Sequence, residues 1–353
     1  MTEAVYERLA QHLDDLPGGF PRSDSGVEMR ILRRLFTKEE AELAVHLSLR
    51  PEPAAKIAAR LNRDPEKTNT LLYEMSRKGL IFRLSKGKTP LYMASQYVIG
   101  IWEYHVNDLD PDLVRDMNEY LPTLIDMEIW KKAPQLRTIP VGESVIHKQE
   151  VLPHEEARAL VRSRKKFAVA PCICRREHKM VGEGCDRPEE TCLVFGRAAD
   201  YYIENDLARE ITLDEALGIL DIAEEHALVL HPSNSQSISN ICACCGCCCQ
   251  VLLAYKRHPN PASIVSAPFR LVIHSEDCVG CGDCIDRCQM DALSLEDDVV
   301  TLIEQRCIGC GLCTTVCPTE CLTLVRKPEE EQKHVPENSF ETYMLIAKAR
   351  GKV

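Results

Sequence analysis

All 19 cysteines of this 353-residue chain lie between Cys172 and Cys321, and none occurs in the first 171 residues. That segregation limits what the second half can fold into, because thiols so dense must either pair with one another or bind metal. The odd count leaves at least one unpaired. The opening residues, Met1, Thr2 and Glu3, lack the charged and apolar regions of a signal peptide. No run reaches the ~18 apolar residues that span a bilayer. A cytoplasmic location is therefore expected, where clustered thiols bind metal more often than they oxidise. With 45% hydrophobic and 27% charged residues, the chain has enough apolar material for buried cores. Its length suggests two or three domains at about 150 residues each.

Cys278, Cys281, Cys284 and Cys288 recur 29 residues later as Cys307, Cys310, Cys313 and Cys317. Gly280 and Gly282 map onto Gly309 and Gly311, and Leu293 and Leu295 onto Leu322 and Leu324, so a whole unit is duplicated. Each half reads as a short strand (269–273; 299–303), a glycine-containing cysteine loop, a helical turn and a second strand. The glycines let the loop backbone fold closely around a bound group and aim N–H groups at it, which favours negative charge there. Each half spells C-x2-C-x2-C-x3-C. Over residues 265–326 the sequence thus resembles the bacterial two-cluster ferredoxins, in which the fourth cysteine of each run ligates the other cluster. The resemblance implies two [4Fe-4S] clusters, one on Cys278, Cys281, Cys284 and Cys317, the other on Cys307, Cys310, Cys313 and Cys288. Structural zinc is the alternative. Pro318 follows the second run as the family expects, whereas Gln289 follows the first, at some cost in rigidity but none in ligands. Cys321, whose counterpart in the repeat is Ala292, reads as a small packing residue.

Ten further cysteines lie upstream: Cys172, Cys174, Cys185 and Cys192, then Cys242, Cys244, Cys245, Cys247, Cys248 and Cys249. Neither group has the ferredoxin spacing. In extended backbone alternate side chains share a face, so Cys172 and Cys174 can grip one centre together, as can Cys245, Cys247 and Cys249, whereas adjacent cysteines point apart. The run from Cys242 to Cys249 can then serve two sites at once, or one cluster with spare thiols. At least one additional iron–sulfur centre is expected here. Zinc on Cys172, Cys174, Cys185 and Cys192 is the alternative, with His178 a candidate fifth ligand or simply solvated. Cys244-Cys245-Gly246 resembles the cysteine motif of heterodisulfide reductase subunits, in a single copy that carries no activity over. Arg175, Arg176 and Lys179 read as a basic lip that offsets thiolate charge or attracts an acidic partner. Ile211 to Leu230 reads as a scaffold helix with a Thr212–Glu215 capping box.

Residues 1–96 carry 16 Lys+Arg against 13 Asp+Glu, a net of +3 within a chain of net −11, so any basic surface is local. From Arg60 to Pro90 there are eight basic residues (Arg60, Arg63, Lys67, Arg77, Lys78, Arg83, Lys86 and Lys88) against three acidic ones. Helices are expected over Pro53–Leu61 and Glu66–Lys78, with Asp64 as N-cap, Pro65 in the first turn and Gly79 as the stop. A hairpin of Leu80–Leu84 and Leu91–Ala94 follows. Over residues 28–96 this pattern resembles the winged helix domains of transcription regulators. The resemblance implies that Lys67, Thr70, Tyr73, Glu74 and Arg77 face a major groove with Lys86 and Lys88 near phosphate, and that Leu71, Leu72 and Met75 form core. Glu74 on the exposed face and the scarcity of groove-reading amides favour a docking or dimerisation module instead.

The expected architecture is α+β and multidomain: a winged-helix-like domain (1–96), a helical connector (97–170), a cysteine-rich α+β domain (171–262), a duplicated ferredoxin unit (263–326) and a charged tail with a short helix that docks on the body (327–353). In the connector, Trp102 and Tyr104 read as packing residues beside the acidic Asp108, Asp110 and Asp112. Without a G-x-G-x-x-G or P-loop signature, a second substrate must be supplied elsewhere. The leading functional expectation is an iron–sulfur electron-transfer protein of anaerobic metabolism, an electron carrier or subunit of a larger oxidoreductase working with redox protein partners, with no membrane span and with dimerisation open. A redox-responsive winged-helix regulator that uses its clusters as sensor is the alternative, and a thiol centre reducing a disulfide or small molecule is the third reading.

Overall fold

In the computed structural model, which describes residues 2–87, 89–142 and 151–353, helix and sheet are mixed and the strands group into four sheets among the described residues. Helices Thr2–Asp15, Val27–Leu35 and Lys38–Ala44 precede the pair Ala54–Leu61 and Pro65–Arg77. The last starts where the sequence signals it: the Asp64 carboxylate accepts the Lys67 N–H at 2.8 Å, and Pro65 sits in the first turn. Phe82–Lys86 and Thr89–Met93 form the hairpin, and Glu52–Pro53 adds to its outer edge to give three antiparallel strands. Leu72 and Met75 are fully buried, and Leu71 packs partly buried against the core. Lys88 lies outside the described residues.

The stretch expected to be helical from 97 to 170 is so only in part. Helices Pro111–Leu124, Met127–Lys132 and Ala157–Arg162 are present, but Phe167–Pro171 is a strand. Phe167–Ala170 is buried throughout because the strand runs inside a five-stranded antiparallel sheet. The order of that sheet is Arg209–Glu210, Phe167–Pro171, Glu190–Phe195, Asn240–Cys244, Val229–Pro232. Residues 143–150 of the expected connector lie outside the described residues. The scaffold helix spans Leu213–Glu225, with both capping-box bonds formed (Glu215 N–H to Thr212 Oγ1, 3.2 Å; Thr212 N–H to Glu215 Oε2, 2.9 Å). It stops short of Leu230 because Ala227 turns the chain at φ 52° into the buried Val229–Pro232 strand.

In the duplicated unit, Phe269–Ile273 pairs with Leu322–Arg326 and Leu293–Glu296 with Val299–Leu302, all antiparallel. Helical turns Asp283–Arg287 and Thr314–Val316 follow the cysteine loops. The four repeated glycines all take left-handed backbone (φ 67°, 84°, 66° and 76°), which an L side chain resists. The tail helix Ser339–Ala349 docks as expected. Thr342 Oγ1 donates to the Asn234 carbonyl at 2.7 Å, Arg350 reaches Asp14 at 2.6 Å and Lys352 reaches Asp14 and Asp15 at 2.8 Å. The amino-terminal part meets the cysteine-rich part through Arg77, which pairs with Asp206 at 2.8 Å, and buried Arg83, which pairs with Glu204 at 3.0 Å. Among the described residues no helix is long and apolar enough to cross a membrane.

Candidate metal centres

The ferredoxin-type loops surround two cavities. Cys278, Cys281, Cys284 and Cys317 line one, with Cys321 as a fifth thiol on its wall, and Cys288, Cys307, Cys310 and Cys313 line the other, so each cavity receives three thiols from one run and another from its twin. Backbone N–H groups turn toward the sulfurs: Val300 to Cys278 at 3.5 Å and Ala292 to Cys288 at 3.3 Å. In the second half Cys321, the counterpart of Ala292, likewise donates its N–H to Cys317. The N–H groups of Val300 and Gly280 hold the Cys278 thiol below its ordinary range, whereas burial pushes Cys284 up to about 11 and Cys310 to about 12. A metal's positive charge reverses that penalty, so a donor set of four thiols around a cavity, with amides aimed at sulfur, fits an anionic iron–sulfur group. Cys321 is buried as expected, yet its sulfur also touches that of Cys317 at 3.4 Å.

The ten upstream cysteines divide differently from the sequence expectation. One set is Cys185, Cys245, Cys247 and Cys248, whose sulfurs all lie within 4.8 Å of one another. The other is Cys172, Cys174, Cys192, Cys242, Cys244 and Cys249, which line a cavity of about 390 Å³ that Cys245 also reaches. Cys249 therefore does not join Cys245 and Cys247. Alternation holds only along the strand Asn240–Cys244, where Cys242 and Cys244 share the cavity face; beyond it the chain turns through 246–248, and Cys249 caps the helix Gln250–Arg257. Cys185 likewise parts from Cys172, Cys174 and Cys192. Cys172 and Cys174 do share the cavity, flanking the start of helix Ile173–Met180. His178 joins neither set: its Nδ1 meets the Cys174 carbonyl at 2.9 Å and Glu177 at 3.6 Å.

The cations also sort themselves. Arg176 and Lys179 bind Glu189 at 3.1 and 3.4 Å, near the surface. Arg175 is no lip: it is 1% exposed, donates to the Ala243 carbonyl at 3.1 Å and to Thr191, and lies 3.8 Å from the Cys245 sulfur. Burial would lower its basicity, but the thiols of Cys172, Cys245 and Cys244 outweigh that and hold the guanidinium charged. Burial would also raise Cys185, yet the Arg187 N–H and the thiols of Cys247, Cys248 and Cys245 bring it down to about 7. No local motif marks His231, a buried residue whose Nε2 pairs with Thr138 Oγ1 at 3.0 Å and whose ring lies within 4.8 Å of the Cys244 and Cys249 sulfurs. Trp102, Glu103 and Tyr343 join the cavity wall from distant segments, and desolvation pushes the Glu103 carboxyl up to about 8.

Nothing among the curated proteins or the solved structures matches the chain. A family model described as a 4Fe-4S dicluster domain matches residues 271–324, the segment that encloses the two paired cavities. The carboxy-terminal part of the chain is thus a ferredoxin-type, iron–sulfur-binding domain, and with the cysteine-rich groups beside it, it points to iron–sulfur electron transfer.

Proposed function

We propose that the protein carries single electrons as a redox subunit or partner of an oxidoreductase of anaerobic metabolism, and is not a complete enzyme by itself. The observation that carries this reading is the three-plus-one sharing of thiols between two cavities inside the matched domain. It supports Cys278, Cys281, Cys284 and Cys317 as ligands of one [4Fe-4S] cluster, and Cys307, Cys310, Cys313 and Cys288 as ligands of the second. Such clusters accept and release one electron with potentials set by hydrogen bonding and exposure. The chain's part is to supply thiolates, aim the Val300, Ala292 and Cys321 amides at them, and exclude water around Cys284 and Cys313, both buried. A further iron–sulfur centre in the middle domain is supported by the six thiols at the large cavity, with His231 close to two of them, Cys244 and Cys249.

The layout we propose is a winged-helix-like domain (1–96), a connector (97–170) whose closing strand, Phe167–Pro171, joins the sheet of the next unit, a cysteine-rich domain (171–262), the ferredoxin domain (263–326) and a tail (327–353). For the first domain we favour docking over DNA reading, because Arg77 and Arg83 are engaged with Asp206 and Glu204. Anaerobic purification with iron, sulfide and zinc analysis tests the whole reading. About eight irons are expected from the paired cavities alone, with a paramagnetic signal after dithionite reduction. Colourless protein without that signal refutes it. Neutralising Lys67, Arg77, Lys86 and Lys88 should leave electron transfer intact; loss of salt-sensitive promoter binding in that variant would favour the regulator instead.

A further inference from the structure

Cys185, Cys245, Cys247 and Cys248 bring four sulfurs within 4.8 Å of one another, whereas at the first ferredoxin cavity the close sulfur contact is the pair Cys317 and Cys321. Their sulfurs stand 3.7 Å apart for Cys185 and Cys248, 3.8 Å for Cys247 and Cys248, and 3.9 Å for Cys185 and Cys245. Four thiolates at about 2.3 Å from a single zinc-like ion occupy a tetrahedron whose edges are about 3.8 Å. A cubane, with four irons and four sulfides between its thiolates, needs them spread around a cavity, as they are at Cys278 and its partners.

Charge supports the same assignment. One divalent ion with four thiolates carries net charge −2, and two guanidiniums flank this set: Arg175 Nη1 at 3.8 Å from the Cys245 sulfur and Arg187 Nη1 at 3.5 Å from that of Cys247. Arg187 is itself fixed, its Nε donating to the His226 carbonyl at 3.1 Å. Oriented donors of this kind around the ligating atoms tune and hold a metal site.

We propose that Cys185, Cys245, Cys247 and Cys248 bind one tetrahedral transition-metal ion of the zinc or ferrous class, without inorganic sulfide, separate from the six-thiol cavity. The site pins the loop between that cavity and the second ferredoxin cage. Within the loop, the Gly246 N–H donates to Gln289 Oε1 at 2.8 Å, and Gln289 directly follows Cys288. On either side of it, Cys244 and Cys249 face the cavity. The inference rests on thiol geometry and stands apart from the electron-transfer reading.

The test compares the full chain with its Cys185→Ser/Cys247→Ser variant, both purified anaerobically and analysed for zinc, iron and acid-labile sulfide. These are the two most accessible thiols of the set, so their replacement disturbs packing least. Loss of about one metal ion per chain, with sulfide and the dithionite-induced resonance unchanged, is the expected result. Zinc lost identifies a structural pin, and iron lost identifies a redox-active ion; both support the site. Loss of several irons with matching sulfide, or loss of no metal, overturns it. Cobalt substitution of the wild-type chain guards against misfolding of the variant: a tetrahedral cobalt–thiolate absorption is expected, and its absence counts against the proposal. A chain that lacks the ferredoxin resonance but keeps one thiolate-bound ion would sink the electron-transfer reading and leave this one standing.

Discussion

Replacing Gly246 with alanine tests how tightly the upstream cysteine loop is seated on the ferredoxin domain. A Cβ at this position would overlap the Gln289 carbonyl oxygen and lie 3.0 Å from its carbonyl carbon, both backbone atoms that cannot swing away. Forcing a methyl into such a contact costs about 1–3 kcal/mol. The shift needed to relieve it also breaks the buried bond from the Gly246 N–H to Gln289 Oε1, at 2.8 Å, and an unpaired buried amide costs about 1–3 kcal/mol. Because one movement does both, we expect a loss of about 2–4 kcal/mol, read as a lower midpoint in anaerobic guanidinium unfolding followed by circular dichroism. Gly218→Ala supplies the control: it lies inside helix Leu213–Glu225 with nothing within 4 Å of the added Cβ, and alanine there should stabilise by up to ~1 kcal/mol. Gln289→Pro, which would bring the first run closer to the ferredoxin pattern, should instead destabilise by about 1–3 kcal/mol, because it removes the acceptor. A Gly246→Ala midpoint equal to that of the wild type would refute the contact and the reasoning built on it.

Cys317→Ser should damage the cluster otherwise held by Cys278, Cys281 and Cys284, lowering iron content by up to about four per chain while the other reduced-state signal persists; damage confined to the Cys307 group would mean local ligation. Arg175→Leu strips a buried cation from beside Cys245 and leaves the Ala243 carbonyl without its donor. A destabilisation of about 3–5 kcal/mol is expected, and a neutral result in thermal unfolding would show that the guanidinium does not balance thiolate charge. Asp14 ties down the tail: burial would raise its carboxyl, but Lys352, the Phe20 N–H and Arg350 outweigh that and hold it below its ordinary 3.8. With the folded value depressed, its stabilisation is complete above 3.8 and fades as pH falls through the lower, folded value. Proteolysis of the tail should rise across that window in the wild type, and Asp14→Asn should show the rise already at neutral pH.

What the sequence revealed, and what it hid, follows from how far each signal reaches along the chain. Asp64 with Pro65, and Thr212 with Glu215, act within one helical turn, so the helix starts they mark are where they should be. The duplicated unit was legible because a 29-residue repeat carries glycines and leucines along with thiols. The helix expected through Leu230 failed at Ala227, a residue with no preference for left-handed backbone, where burial of the following strand overrides local propensity. Glu103 and Tyr343 reach the large cavity, and His231 the Cys244 and Cys249 sulfurs on its wall, from segments more than 100 residues apart, a convergence no local pattern records. Gln289 was a signal that could have been read further: where one half of a repeat departs from the expected residue, something outside the repeat can be using that position, and here it is Gly246.

The run from Cys242 to Cys249 shows why adjacent cysteines are useful rather than redundant. Neighbouring side chains outside a helix diverge, so the pairs Cys244/Cys245 and Cys248/Cys249 can send thiols to opposite sides of one backbone. Cys248 meets Cys185 and Cys247, whereas Cys249 meets Cys174, Cys244 and His231. Both are buried, and both become small cavities on substitution by alanine, so their packing costs should be alike. Their chemical consequences should not be. Cys248→Ala should cost the chain its single thiolate-bound ion and leave sulfide untouched, while Cys249→Ala should spare that ion and change the iron and sulfide associated with the large cavity. If both variants lose the same metal in the same proportion to sulfide, the backbone does not divide two sites, and the ten upstream thiols serve one centre.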